Sequence, residues 1–277
     1  MTLSVNTNQP ALIALQNLNR TNDQMQATQT RINTGESIST AKDNAAIWSI
    51  AQEQRGDMSA LGAVKMSLDR ATSIADVALA AGESVSDLLK LMREKVVAAK
   101  DTSLTTTSLQ SLNSDFQGLL KNLQQVITSA VFDGANLLDG SQPADMTFLA
   151  DADAAQAITL SLQNLSLGGT INTLTATDDI LSPANATAVL TRLDATMSSV
   201  NQAVGNIGTQ AKQIDAHSSF VSRLNDVLET GVGNLVDADL AKESARLQAL
   251  QVKQQLGVQA LAIANQAPQT ILSLFRG

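Results

Sequence analysis

The chain has no cysteine and no tyrosine, and only one tryptophan and one histidine among 277 residues. Without cysteine there is no thiolate nucleophile, no disulfide and no thiolate-ligated metal site. The single imidazole, His217, excludes a multi-histidine metal centre and leaves one ring for any catalytic triad. Between Ala216 and Ser218 on an expected helix, it reads as a solvated side chain. Catalytic residues, bound metal and cofactor are therefore expected to be none. Positive charge is also short: the net charge is −8 and the Lys and Arg are scattered. No basic stripe or aromatic platform is present for a nucleic acid, so no nucleic-acid partner is expected. Residues 1–15 lack the basic start, long apolar run and cleavage pattern of a signal peptide. If the protein leaves a cell, another machine must export it.

Hydrophobic residues are plentiful, at 44%, but they are mostly Ala, Leu, Val and Ile. These residues build regular helix–helix seams, whereas a rounded core of this size would draw on more aromatic bulk. From Pro10 to Asn33, Leu15, Leu18, Met25 and Ile32 recur with heptad-like spacing, and Asn22 and Gln29 fill the alternate seam positions. Arg20, Asp23 and Arg31 are the only charges before Glu36. That is too few for a free surface helix and points to a buried partner.

Gly35, Ser37, Ser39 and Thr40 then break the pattern. A helix is expected over about 44–100 and another over about 109–130, with the polar stretch 101–108 as a loop between them. Asp133-Gly134 signals a turn. Alternating apolar and polar residues predict strands over 146–149 and 158–167, ending at Gly168-Gly169. Pro183 suits the first turn of a long helix reaching about 231–233. Three acidic pairs, Asp151/Asp153, Asp178/Asp179 and Asp237/Asp239, have the look of metal ligands but lack a third donor. Asp237 and Asp239 read better as caps on the last helix.

That last helix carries two apolar stripes: Ala249, Val252, Leu256, Ala260 and Ile263 on one side, and Leu240, Leu247, Leu250 and Leu261 on another. No charge occurs between Lys253 and Arg276. A helix apolar nearly all round has to be buried on nearly every side. A membrane span is disfavoured by Gln254, Gln255, Gln259, Asn265, Gln266, Pro268 and Gln269, whose insertion would be costly. The remaining solution is a helix surrounded by others, more than one chain supplies.

These features together resemble a bacterial flagellin. The matching segments run in order: T-G-E-S-I-S-T-A-K-D-N-A-A at 34–46, F-D-G-A-N-L-L at 132–138, D-A-D-L-A-K-E at 237–243 and A-L-A-I-A-N-Q-A-P-Q-T-I-L-S-L-F at 260–275. Two departures stand out: Ser37 where many relatives have Arg, and Ile47 where many have Gly. The resemblance implies a mainly α fold of long antiparallel helices, with N- and C-terminal helices paired, to which the alternating stretch adds a small β-hairpin insertion. It implies an inner coiled-coil domain from 1–43 and 234–277 and a helical outer domain from 44–140 and 183–233, with the β insertion read from alternation at 141–182.

The family's large variable outer domains are nearly absent, since about forty residues separate the matching halves. The implied function is structural: a secreted, extracellular subunit polymerising into the flagellar filament for swimming. The interface would use Leu15, Leu18, Met25, Ile32, Leu247, Leu250, Val252, Leu256, Leu261 and Ile263. Implied partners are other copies or related flagellins, an export chaperone, and cap and hook-junction proteins. O-linked sugars on flagellins make Ser103, Thr105, Thr106, Thr107 and Ser108 candidates for modification. Two other readings are a hook–filament junction protein of the same family and a secreted membrane-inserting translocator.

Overall fold

The computed structural model describes the backbone of residues 7–274 and side chains through residue 266. The outer ends of the expected inner domain, and the last part of the 260–275 motif, lie outside the described residues. Five helices and two short strands follow one another: α1 (Gln9–Thr34), α2 (Ala45–Ala98), α3 (Thr106–Ser129), β1 (Met146–Leu149), β2 (Ala157–Leu160), α4 (Pro183–Val236) and α5 (Leu240–Leu274). The chain divides into two compact units, Met1–Gly56 with Val227–Gly277, and Asp57–Asp226.

Local chemistry sets the helix limits. Asn8 caps α1 by accepting from the Ala11 amide, and Gly35, at φ 75°, ends it in a left-handed cap. Asn44 accepts from the amides of Ala46 and Ile47 at the start of α2. Thr105 accepts from Ser108 N ahead of α3. Ser182 accepts from Asn185 N, with Pro183 following as the first residue of α4.

In the 57–226 unit, α2 and α4 run antiparallel. Thr72 meets Asp215, Ser86 meets Asn201, and Arg93 pairs with Asp194 at 2.8 Å. Ten buried α2 residues, Leu61, Val64, Leu68, Ala71, Ala75, Ala78, Val85, Leu89, Met92 and Val96, alternate steps of three and four, with Ile74 and Ala81 buried beside them. Gly82 occupies the step between Ala78 and Val85. Ala186, Val189, Leu193, Thr196, Val200, Ala203 and Ile207 repeat the pattern on α4. A strict heptad of this kind winds paired helices into a left-handed supercoil. Leu109, Phe116, Leu120, Leu123 and Ile127 form the buried face of α3. Lys95 on α2 donates to Asp115 on α3 at 2.9 Å, which raises the Lys95 pKa.

The segment after α3 turns at Asp133-Gly134, with φ of 49° and 76°. Positive φ at both central residues is the type I′ geometry favoured by Asp-Gly. Phe132 and Ala135 exchange both backbone hydrogen bonds across it at 2.9 Å. Strands β1 and β2 pair antiparallel, with Met146 opposite Leu160 and Leu149 opposite Ala157. The second strand is shorter than its alternating sequence predicts. Beyond Leu160 the amides find other acceptors: Ser161 N donates to Gln210 Oε1, Leu162 N to Asp145, Gln163 N to Leu137 O and Leu165 N to Leu138 O. The alternation persists because Leu165 is still fully buried, but the ladder has ended.

His217 also departs from expectation. It is half-buried, its Nε2 lies 2.6 Å from the Ala150 carbonyl, and its ring sits 5.8 Å from that of Phe220. Its neighbours mix polar Ser218 and Ser219 with apolar Ile214 and Phe220, and nothing local reveals this contact with a residue 67 positions away.

The acidic pairs serve backbone groups. Asp151 accepts from Ala155 N and Gln156 N, and Asp179 from Leu181 N and the Asn185 side chain. Asp178 is buried; it accepts from Thr175 N and Thr175 Oγ1 and pairs with Arg192 at 2.7 Å. Its carbonyl accepts from Gln117 on α3. Among the described residues no cluster of three potential metal ligands occurs.

Candidate assembly interface

Helices α1 and α5 pack against each other inside the unit Met1–Gly56, Val227–Gly277. Four contacts read in opposite directions along the two helices. Asn8 Nδ2 donates to Ala264 O at 2.8 Å. A Cβ placed on Gly257 would lie 3.3 Å from Leu18 Cδ1. Gln254 Nε2 donates to Asn22 Oδ1 at 2.8 Å, and Arg31 reaches Glu243 at 3.5 Å. The pairing is therefore antiparallel and in a single register. Leu250, Thr28 and Glu243 are its buried residues, with Leu250 only 3% exposed.

The chain breaks between α1 and α2, and between α4 and α5, lie side by side. Ser37 N and Ile38 N donate to Val236 O, and Ala238 N donates to Gly35 O. The Ser37 hydroxyl adds a bond to the same Val236 carbonyl at 3.1 Å, so this serine works as a local clamp. Arg55 pairs with Glu36 at 2.5 Å across the break. Thr40 closes onto Asp43 through its amide and its hydroxyl, both at 3.0 Å. Those two donors hold the Asp43 carboxyl below its ordinary pKa. Asp239 accepts from Lys242 N at 3.1 Å and so caps α5, whereas Asp237 contributes its backbone to a bridge with Glu36.

The ten apolar residues expected at the interface fall into two sets. Leu18, Met25, Ile32, Leu247 and Leu261 are half-buried and Leu250 is buried. Leu15, Val252, Leu256 and Ile263 are exposed, Leu256 by 57% and Ile263 by 69%. Leu12, Ile13 and Val258 add further exposed apolar area to the same two helices. Apolar periodicity does not single out the polar members Asn8 and Glu243, although Asn8 carries the usual signal of a cap before Pro10. The modification candidates lie elsewhere: Ser103, Thr105, Thr106 and Thr107 are exposed and Ser108 is half-buried.

A profile described as the bacterial flagellin N-terminal helical region matches residues 5–143. One described as the flagellin C-terminal helical region matches residues 190–275. The chain is 78% identical to flagellin FljJ of Caulobacter vibrioides, covering all of both chains. The chain belongs to the bacterial flagellin family. It is 38% identical to a flagellin of Brucella melitensis, over 99% of each chain. Its fold alone is shared with a solved Vibrio parahaemolyticus structure described as a flagellar hook-associated protein. That match has 14% identity and a TM-score of 0.59, covering 70% of this flagellin and all of that chain.

As a flagellin, the protein is a structural subunit that polymerises into the flagellar filament and serves motility. It is of the short type, because only a small segment separates the two profile matches. Flagellin homologues form the extracellular filament. Among the described residues no helix is long and apolar enough to cross a membrane.

Proposed function

We propose that this flagellin assembles by burying the outward apolar faces of α1 and α5 against neighbouring copies. The observation that carries the reading is the exposure of Val252, Leu256 and Ile263 on a helix with no charge after Lys253 through its last described residue. Full burial of one such aliphatic side chain stabilises by about 1.5–3 kcal/mol. Several per subunit, repeated along a lattice, offset the entropy of ordering the terminal helices. The ten residues then divide their labour: the half-buried set holds the α1/α5 seam, and Leu15, Val252, Leu256 and Ile263 meet the neighbours.

In this reading residues 1–43 and 234–277 form the inner domain, 44–140 and 183–233 the helical outer domain, and 141–182 a small insertion. The subunit is exported to the cell exterior with an export chaperone, and it meets cap and hook-junction proteins. It performs no catalysis. Electron microscopy of the purified protein in ammonium sulfate tests the reading, since salting-out strengthens apolar burial. Long filaments are expected. Isolated rings, or vesicle leakage without polymer, would refute it. The Ser103, Thr105, Thr106, Thr107 and Ser108 cluster is the proposed site of O-linked sugars, and an intact mass equal to the sequence mass on host-derived protein rules that out.

A further inference from the structure

Helix α5 offers little with which apolar packing alone could choose a register. Its two apolar stripes repeat at heptad spacing, so sliding α1 along α5 by one heptad sets one aliphatic face on another. Beside the close fit of Leu18 over Gly257, what distinguishes the observed register is polar. Asn22 and Gln254, both half-buried, meet side chain to side chain at 2.8 Å with the Gln amide donating. The ion pair nearer the breaks is a weaker selector: Arg31 reaches Glu243 at 3.5 Å with a third of its side chain in water, and Arg246 lies 4.0 Å from the same oxygen. Glu243 is buried, but Arg246 lies on the same helix and stays with it in any register. The long Arg31 side chain can follow a shifted partner, whereas the Asn22–Gln254 hydrogen bond is made in the observed register.

We propose that the Asn22–Gln254 pair is the register-setting contact of the terminal helices. A one-heptad slide in one direction places Asn22 against Leu247 and Gln254 against Leu15. The opposite slide places Asn22 against Leu261, and Gln254 then meets Gln29. Each slide sets at least one half-buried seam amide against leucine, where it loses its hydrogen-bond partner and part of its access to water. Asn22 and Gln254 are positioning residues: they select which outward faces a subunit presents, and with them the lattice it can join. This rests on the proposed assembly through the terminal pair.

The absence of cysteine makes the test clean. A Cβ at position 257 lies 3.9 Å from Leu18 Cβ, inside the range for a disulfide. In full-length protein, L18C with G257C reports the observed register, and L18C with L250C or with A264C reports the two slides. Intrachain products are quantified by gel mobility under mild oxidation, in soluble and sedimented fractions separately. With Asn22 and Gln254 present, the slid products should stay below about a tenth of the observed-register product. In N22L/Q254L, which keeps an apolar seam, they should rise at least about fivefold, and in the swapped amide pair N22Q/Q254N they should not. The proposal is overturned if N22L/Q254L yields only the 18–257 product, if the swap slides as freely as the leucine pair, or if no 18–257 product forms in any fraction. Sedimentation reports assembly separately: a failure to polymerise with the 18–257 product intact counts against the assembly reading and not against the register.

Discussion

Gly82 lies in the α2/α4 seam where a Cβ would be 2.7 Å from Val204 Cγ2. Ordinary carbon contacts lie near 3.5–4.0 Å, so Gly82→Ala forces a displacement of close to an ångström. Valine in a helix holds essentially one χ1 rotamer and cannot swing the methyl aside. Overpacking of this kind costs about 1–3 kcal/mol, against about 1 kcal/mol gained by replacing a helical glycine with alanine. The expected net effect is a loss of about 0–2 kcal/mol. Val204→Ala alone removes two carbons from a half-buried side chain and costs about 1 kcal/mol. The double variant removes the clashing methyls and fills their space with the new Cβ, so its stability should lie close to that of the parent. Urea unfolding followed by far-UV circular dichroism gives all four corners of the cycle, with an expected favourable coupling of about 1–3 kcal/mol. Additivity within about 0.5 kcal/mol would refute the close packing of these two helices at this level.

Asp178→Ala should cost about 1–3 kcal/mol in the same assay, because it removes the acceptor shared by Thr175 and Arg192; the half-open Arg192 side chain rehydrates, which limits the loss. Deleting residues from 260 onward should abolish sedimentable polymer while leaving the helical circular dichroism and cooperative unfolding of the 57–226 unit; filaments from the truncated protein would contradict the assembly reading. Asp43 titrates below its usual range in the folded chain because Thr40 donates to it, so its contribution is present above about pH 4 and is lost as pH falls through the depressed folded value. Hydrogen exchange across 37–44 should therefore accelerate between pH 5 and strongly acidic conditions, after correction for intrinsic rates, more in the parent than in Asp43→Asn; equal responses would show that Asp43 does not hold the turn.

The helices are legible in the sequence because each begins or ends on a residue suited to a helix terminus. Pro10, Gly35, Pro183 and Asp239 mark limits that the structure keeps within a few residues. Less legible is the regularity of α2. Reading its large residues alone gives an approximate helical period that includes Ile50, which is exposed, and Val77, which is only half-buried. The strict heptad emerges only when Ala71, Ala75, Ala78 and Gly82 count as seam positions, because small residues are where two backbones come close. The second strand stops short of its alternating sequence because alternation reports which side chains are buried and not which amides are paired. His217 escapes a sequence reading because its partner is a backbone carbonyl distant in the chain, which leaves no mark on composition. At the terminal pair, the apolar stripes are visible from periodicity. The polar contacts across the pair are not, since nothing in one helix records what faces it in the other.

The seam between α1 and α5 joins residues 256 positions apart, from Asn8 to Ala264. Almost the whole polypeptide must therefore have emerged before the first helix meets its partner. Synthesis or transport from either end leaves one half of the pair waiting for the other, and the surface made by both together comes last. On the proposed assembly through this pair, the polymerising surface carries its own timer. On that reading a fragment lacking the far end cannot present it, and elongation at a filament tip would be gated by the meeting of α1 with α5 rather than by folding of the middle.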